Sequence, residues 1–99
     1  SAQLEISKLP LIEGIQEYIN QFIFPDNTYR NWNAYSAKTK GVVGMDLVKL
    51  CDPQTSGGLL VAVAAENKAW FEETMNLHNQ LNWEIGKFMN KGDFVVEVI

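Results

Sequence analysis

Apolar and polar positions alternate where the chain begins. Leu4 and Ile6 fall on one side, and Glu5 and Ser7 on the other. Residues Leu4 to Leu9 therefore predict a half-buried strand. Pro10 then opens a helix, in which Leu11, Ile12, Ile15, Tyr18, Ile19 and Phe22 recur at helical spacing and form one apolar face. Gly14 weakens that helix a little. Pro25-Asp26-Asn27 reads as a breaker. The next stretch, "TYRNWNAYSAKTKGVVG" from Thr28 to Gly44, has no clear period and predicts a long loop with room for one short strand. Loops of that length in compact domains are functional or docked on something. Arg30 to Lys40 is expected to be mobile in this chain and ordered in a longer parent. Met45 to Leu50 fits a short helix or an extended segment.

The second half is patterned more strongly. Gly58 to Ala65, "GLLVAVAA", is an unbroken apolar run of strand length, which predicts a central strand covered on both faces. Glu66 to Leu81 predicts a helix. Trp70, Thr74, Leu77 and Leu81 stack along it, and Phe71, Met75 and His78 widen the stripe. Trp83 with Ile85, and Phe94 to Ile99, read as two strands. "NKGD", Asn90 to Asp93, is the turn between them. The sum is an α+β fold of two layers, with helices on one face of a mixed or antiparallel sheet.

The chain has 99 residues, enough for a single domain over 1–99. With 46% apolar residues it can build a core. The net charge of -4, with basic residues scattered rather than clustered, excludes nucleic acid and an anionic membrane as the expected partners. No apolar run approaches the roughly 20 residues of a membrane span. Cys51 is the single cysteine, so no disulfide within the chain and no multi-cysteine zinc site can form. That fits a reducing, cytoplasmic setting. The chain opens on Ser1-Ala2 without Met, which reads as a tag scar or a cut inside a longer protein.

Candidate chemistry is sparse. "DPQTSGG", Asp52 to Gly58, joins a turn-forming Asp-Pro pair to three hydrogen-bonding side chains, Gln54, Thr55 and Ser56. Gly57 and Gly58 then permit positive φ and close approach. Such a run suits a nest of backbone N–H groups for an anion, or a tight turn before a buried strand. No Lys follows the glycines, so it is not a Walker A loop. His78 reads as a semi-buried histidine and Cys51 as a structural thiol. Asp26, Asp46, Asp52 and Asp93 lack metal-ligand spacing. Lys38 to Lys40 and Arg30-Asn31 read as exposed loop charge that phosphate could also meet. Trp32 and Tyr35 are candidates for docking a neighbouring domain. No catalytic set and no metal site stand out.

"LCDPQTSGGLLVAV", Leu50 to Val63, closely resembles the signature near the C-terminus of the selenophosphate synthetases (selenide, water dikinases), relatives of aminoimidazole ribonucleotide synthetase. "LPLIEGIQEYI" and "TYRNW" resemble upstream segments of the same family, so the likeness covers roughly Leu9 to Ala65. The helix and strands after Glu66 agree in kind only. The resemblance implies a truncated C-terminal domain of an enzyme that turns ATP, selenide and water into selenophosphate, AMP and phosphate with Mg²⁺. It implies a homodimeric parent about three times longer. The family's reactive Cys or selenocysteine with its Lys, its metal-holding aspartates and its Asp-Val-Thr-Gly-Phe-Gly stretch have no counterpart here, and Cys51 is not that nucleophile. The fragment is thus expected to be inactive alone and to bind no ATP or Mg²⁺ by itself. Asp52, Gln54, Thr55, Ser56, Gly57 and Gly58 would face a phosphate or the missing N-terminal domain. Arg30, Asn31 and Trp32 would make interdomain contacts. The alternative is a stand-alone sensing or protein-interaction domain, which needs a self-contained core and closed sheet edges.

Overall fold

A computed structural model describes all 99 residues, Ser1 to Ile99. Four short strands and four helices follow in the order β1 (Ala2–Leu4), α1 (Ile15–Asn20), α2 (Asn27–Tyr35), β2 (Thr39–Lys40), α3 (Asp46–Leu50), α4 (Lys68–Leu77), β3 (Gly86–Phe88) and β4 (Val96–Val98). Single 3₁₀ turns lie at Ile6–Lys8, Ser36–Lys38 and Ala65–Asn67. The fold is α+β with a mixed sheet, as the hydrophobic pattern predicts.

The sheet runs in the order β2-β4-β1-β3. β1 is parallel to β4, with Ala2 opposite Val96 and Leu4 opposite Val98. It is antiparallel to β3, with Ala2 opposite Phe88. β2 adds to β4 in parallel, with Thr39 opposite Val96. Ser1 ties the first residues down: its hydroxyl donates to the Phe94 carbonyl at 2.6 Å and accepts from the Gly92 N–H at 2.9 Å.

Several elements end where local chemistry ends them. α1 closes with Phe22 at φ 59°, where the Ile23 N–H reaches back to the Tyr18 carbonyl and the Phe22 N–H to the Ile19 carbonyl. α4 closes in the same way. Asn79 sits at φ 54°, the Gln80 N–H donates to the Met75 carbonyl, and the Asn79 N–H donates to the Asn76 carbonyl. This left-handed cap satisfies carbonyls the helix leaves open. It also stops α4 at Leu77, four residues before the expected Leu81.

Several expectations need correction: the first helix begins at Ile15 rather than after Pro10, and the strand expected at Trp83 and Ile85 lies at Gly86–Phe88. The first strand is Ala2–Leu4, and the expected continuation through Leu9 is a 3₁₀ turn instead. Leu4 lies opposite Gly86, where β3 begins, and Val98, where β4 ends, so the ladder stops there. The stretch from Thr28, expected to be a loop, opens as α2, which takes it up to Tyr35. Pro25 and Asp26 start that helix: the Thr28 N–H donates to the Pro25 carbonyl and the Tyr29 N–H to the Asp26 carbonyl. Tyr29 packs edge-on against Phe24, with ring centroids 5.5 Å apart. Only Thr39 and Lys40 form the short strand expected there. Gly58 to Ala65 is not a strand. It has no regular structure before Ala65, and Leu59 is 93% exposed and Leu60 82%. Nothing in the chain covers it, so the pattern that calls for burial goes unanswered.

The core is small. Ile19, Val48 and Val98 are its buried apolar side chains, joined by Thr28, whose hydroxyl is fully buried without a hydrogen-bond partner. The stripe expected on α4 is largely uncovered, with Trp70 and Leu77 exposed. His78, expected to be semi-buried, is exposed just beyond the helix. The accessible surface is 7977 Å². A compact monomer of 11.2 kDa should expose about 5,700 Å². The radius of gyration, 15.0 Å, likewise exceeds the roughly 12.6 Å of a compact chain of this length.

Candidate functional site: the loop from Cys51 to Gly58

α3 delivers the chain to the loop. Val48 anchors it in the core, and an Asp46–Lys49 pair at 3.7 Å flanks it. The Cys51 N–H completes the helix by donating to the Leu47 carbonyl at 2.9 Å. The Cys51 carbonyl, turned out of the helix, accepts from the Asn31 side-chain amide of α2 at 3.0 Å. Two stretches singled out in the sequence, "TYRNW" and "LCDPQTSGG", therefore meet at a part-buried hydrogen bond. Sequence reasoning placed Asn31 in a loop and missed this contact. The signal was the pairing of α2 with α3, and a chain read residue by residue does not reveal such a long-range pairing.

Past Cys51 the loop leaves the body. Gln54 donates to the Asp52 carboxylate at 3.0 Å, which folds the turn on itself. Asp52, Gln54, Thr55, Ser56, Gly57 and Gly58 are all exposed. The backbone N–H groups of Thr55 to Gly58 donate to no group of the chain. Of the two readings the sequence left open, nest or plain turn, the backbone takes the second. The positive-φ glycines are Gly14, Gly41 and Gly44, not Gly57 or Gly58. A nest alternates right- and left-handed residues, so the loop does not form one in this state. A Cβ at Gly57 would meet the flexible end of the Gln54 side chain, and one at Gly58 would meet nothing.

Around the loop, Arg30 is exposed on α2 and takes part in no ion pair, Trp32 is half-buried, and Tyr35 is exposed. Lys40 is paired with Glu97 at 3.0 Å, so it is already neutralised across β2 and β4. Lys68 and Glu84 hold each other charged: their hydrogen bond, reinforced by attraction, raises the Lys68 ammonium and lowers the Glu84 carboxyl. Both side chains are exposed and neither contacts the loop. Partial burial raises the Cys51 thiol above its ordinary value. At neutral pH it stays protonated, which disfavours nucleophilic use because the thiolate is the reactive form. No three His, Cys, Asp or Glu side chains converge where a metal ion could be held. No helix is long and apolar enough to cross a membrane.

The Asn31–Cys51 bond makes a direct prediction. Asn31→Ala should cost about 1 kcal/mol of stability by removing the donor. Asn31→Asp keeps the shape but sets a carboxylate against a carbonyl oxygen, so it should cost more. Urea unfolding of the two variants checks the order; equal stability of Asn31→Asp and the parent sequence would show the bond to be dispensable.

Comparison with known proteins gives a consistent picture. No protein-family model matches the chain. Curated relatives do. Selenide, water dikinase of Bordetella bronchiseptica is 34% identical over 99 residues, covering the whole of this chain and 29% of that protein. The Pseudomonas putida enzyme of the same name is 37% identical over 100 residues, again covering the whole chain and 29% of the relative. That of Aeromonas hydrophila is 42% identical over 69 residues, or 70% of this chain and 20% of the relative. The chain thus spans less than a third of the length of the curated relatives it matches. Along its whole length, loop included, this chain is homologous to part of the selenide, water dikinases.

Proposed function

We propose that the chain serves as the C-terminal domain of an ATP-dependent selenophosphate synthetase, with the loop from Asp52 to Gly58 facing the N-terminal catalytic part. The observation that carries this reading is the Asn31–Cys51 contact, which joins two of the three family-like stretches directly. The exposed, unpaired N–H groups of Thr55 to Gly58 suit an approaching anion, such as a nucleotide phosphate or selenophosphate. They do so once docking orders the loop, since the glycines are not left-handed here. Phosphoryl transfer depends on such positioning and charge stabilisation. The metal does not fit this chain: no set of ligands converges on one. This reading assigns Mg²⁺ to the N-terminal part, and the nucleophile with it, as the family resemblance implies.

The rival reading, a self-contained sensing or interaction module, needs a closed core and closed sheet edges. The small core and the uncovered apolar surface weigh against it. In cells the reading places the chain in the cytoplasm, within a homodimeric parent.

The test uses two forms. Given ATP, Mg²⁺ and selenide, the chain alone should release no more AMP than a blank without protein. Grafted into the Pseudomonas putida enzyme in place of the matching stretch, it should support turnover. Gly57→Val in that graft should lower turnover by about tenfold or more while the melting temperature stays put, a loss confined to the reacting complex. AMP release by the chain alone would overturn the reading. Normal turnover with Gly57→Val would remove the loop from the site.

A further inference from the structure

The segment that follows the loop is the least explained part of the molecule. From Pro53 to Ala65 no residue is charged, and Leu59, Leu60, Val61, Ala62 and Val63 form an unbroken apolar run. Leu59, Leu60 and Val61 are 93%, 82% and 52% exposed, so residues of both parities face solvent. No backbone N–H or carbonyl from Asp52 to Val63 is paired with another backbone group. The segment ends at Ala64 in an extended conformation, φ −63° and ψ 143°. Two costs therefore stand open at one place: bare apolar side chains and bare backbone. A β-strand added to a sheet meets both at once, through ladder hydrogen bonds and covered faces.

We propose that Leu59 to Val63 is a docking strand, which adds to the sheet edge of the polypeptide that the relatives carry outside the matched stretch and is buried there on both faces. This rests on the reading of the chain as one part of a larger synthetase. A second copy of the chain fits less well. Two-fold pairing of the segment with itself fills one backbone edge, as a sheet edge would, but brings no further layer to cover the two faces. The surface exposed beyond that of a compact monomer, on the order of 2,300 Å² by the same scaling, is also well above the roughly 800 Å² per partner of a standard interface. It matches the contribution of one side to a large, permanent one. More than two-thirds of each relative lies outside the match and supplies a body of the required size.

Backbone amide exchange decides the matter, measured on the 99-residue chain over a range of concentrations and on its graft in the Pseudomonas putida enzyme. The amides of Leu59 to Val63 should exchange at nearly the rate of free peptide in the chain alone, and at least about a hundredfold more slowly in the graft, as in a buried ladder. Fast exchange in both would overturn the proposal. So would protection in the chain alone that grows with its concentration, which would assign the strand to a second copy. Should the graft not fold, the matching amides of the unmodified Pseudomonas putida enzyme are measured instead: slow exchange there supports the docking strand, and fast exchange overturns it. Because the readout is protection, not turnover, an inactive graft with protected amides would sink the proposed function and leave the docking strand standing.

Discussion

Val98→Asp is expected to leave the chain unfolded at 25 °C, while Leu60→Asp leaves its stability within about 0.5 kcal/mol. The two substitutions introduce the same carboxylate into two apolar valine- and leucine-rich segments. Val98 lies in β4, between β2 and β1, and is 4% exposed. The structure offers no cation there; the β4 residue with an ion-pair partner is Glu97, held by Lys40. An unpaired buried carboxylate costs several kcal/mol, on the order of the 5 kcal/mol that a weakly stable small domain has in total. Leu60 is 82% exposed, so a charge there meets only water. Far-UV circular dichroism and urea unfolding of both variants test the pair. A cooperative transition for Val98→Asp close to that of the parent sequence would mean that β4 does not hold the sheet together.

Gly41→Val is expected to lower the melting temperature by about 10–20 °C, the equivalent of roughly 2–3 kcal/mol in a domain of this size. Gly41 follows β2 with φ +86°, a region a β-branched residue enters at a cost of about 1–3 kcal/mol. A Cβ there would also overlap the Val98 carbonyl oxygen, a backbone atom that cannot turn aside. The pairing of Thr39 with Val96 and Lys40 with Glu97 would have to open to make room. Gly57→Val in the isolated chain is the control: no positive φ is at stake, and the group it meets is a movable side chain. Thermal unfolding of both variants checks the contrast. Equal melting temperatures would mean that β2 pairs too weakly to matter.

The sequence patterning reached the α+β class, the helix after Glu66, the C-terminal strand, and the loop at Asp52 to Gly58. These carry local signals: a helical apolar stripe, alternation, an Asp-Pro pair, paired glycines. α2 was not legible because Asn27, Asn31 and Asn33 break any apolar period. Its start is written in Pro25-Asp26, which fits a helix N-terminus as well as a breaker. Gly41 and Asn31 matter through partners far along the chain, Val98 and Cys51, and no spacing rule links them. The run Leu59 to Val63 is instructive in another way. Its composition states a demand for burial on both faces, and the chain does not meet it: no strand forms and Leu59 and Leu60 stand exposed. The candidate site divides similarly. The sequence located the loop, but not the backbone angles that keep the glycines from forming a nest, nor the side chain that fastens its base.

The parallel pairing of β1 with β4 has a consequence for synthesis. The Ser1 hydroxyl bonds to a carbonyl 93 residues further on, and Ala2 to Leu4 lie against Val96 to Val98. Pairing across such separations closes a very long loop before any contact compensates for it, so the sheet forms slowly. On the ribosome, β1 emerges long before its neighbour β4. Until Val96 to Val98 leave the exit tunnel, β1 has no parallel partner and β2 has no strand to join. The helices can form as the chain is made, but the sheet is assembled only after translation has passed Val98.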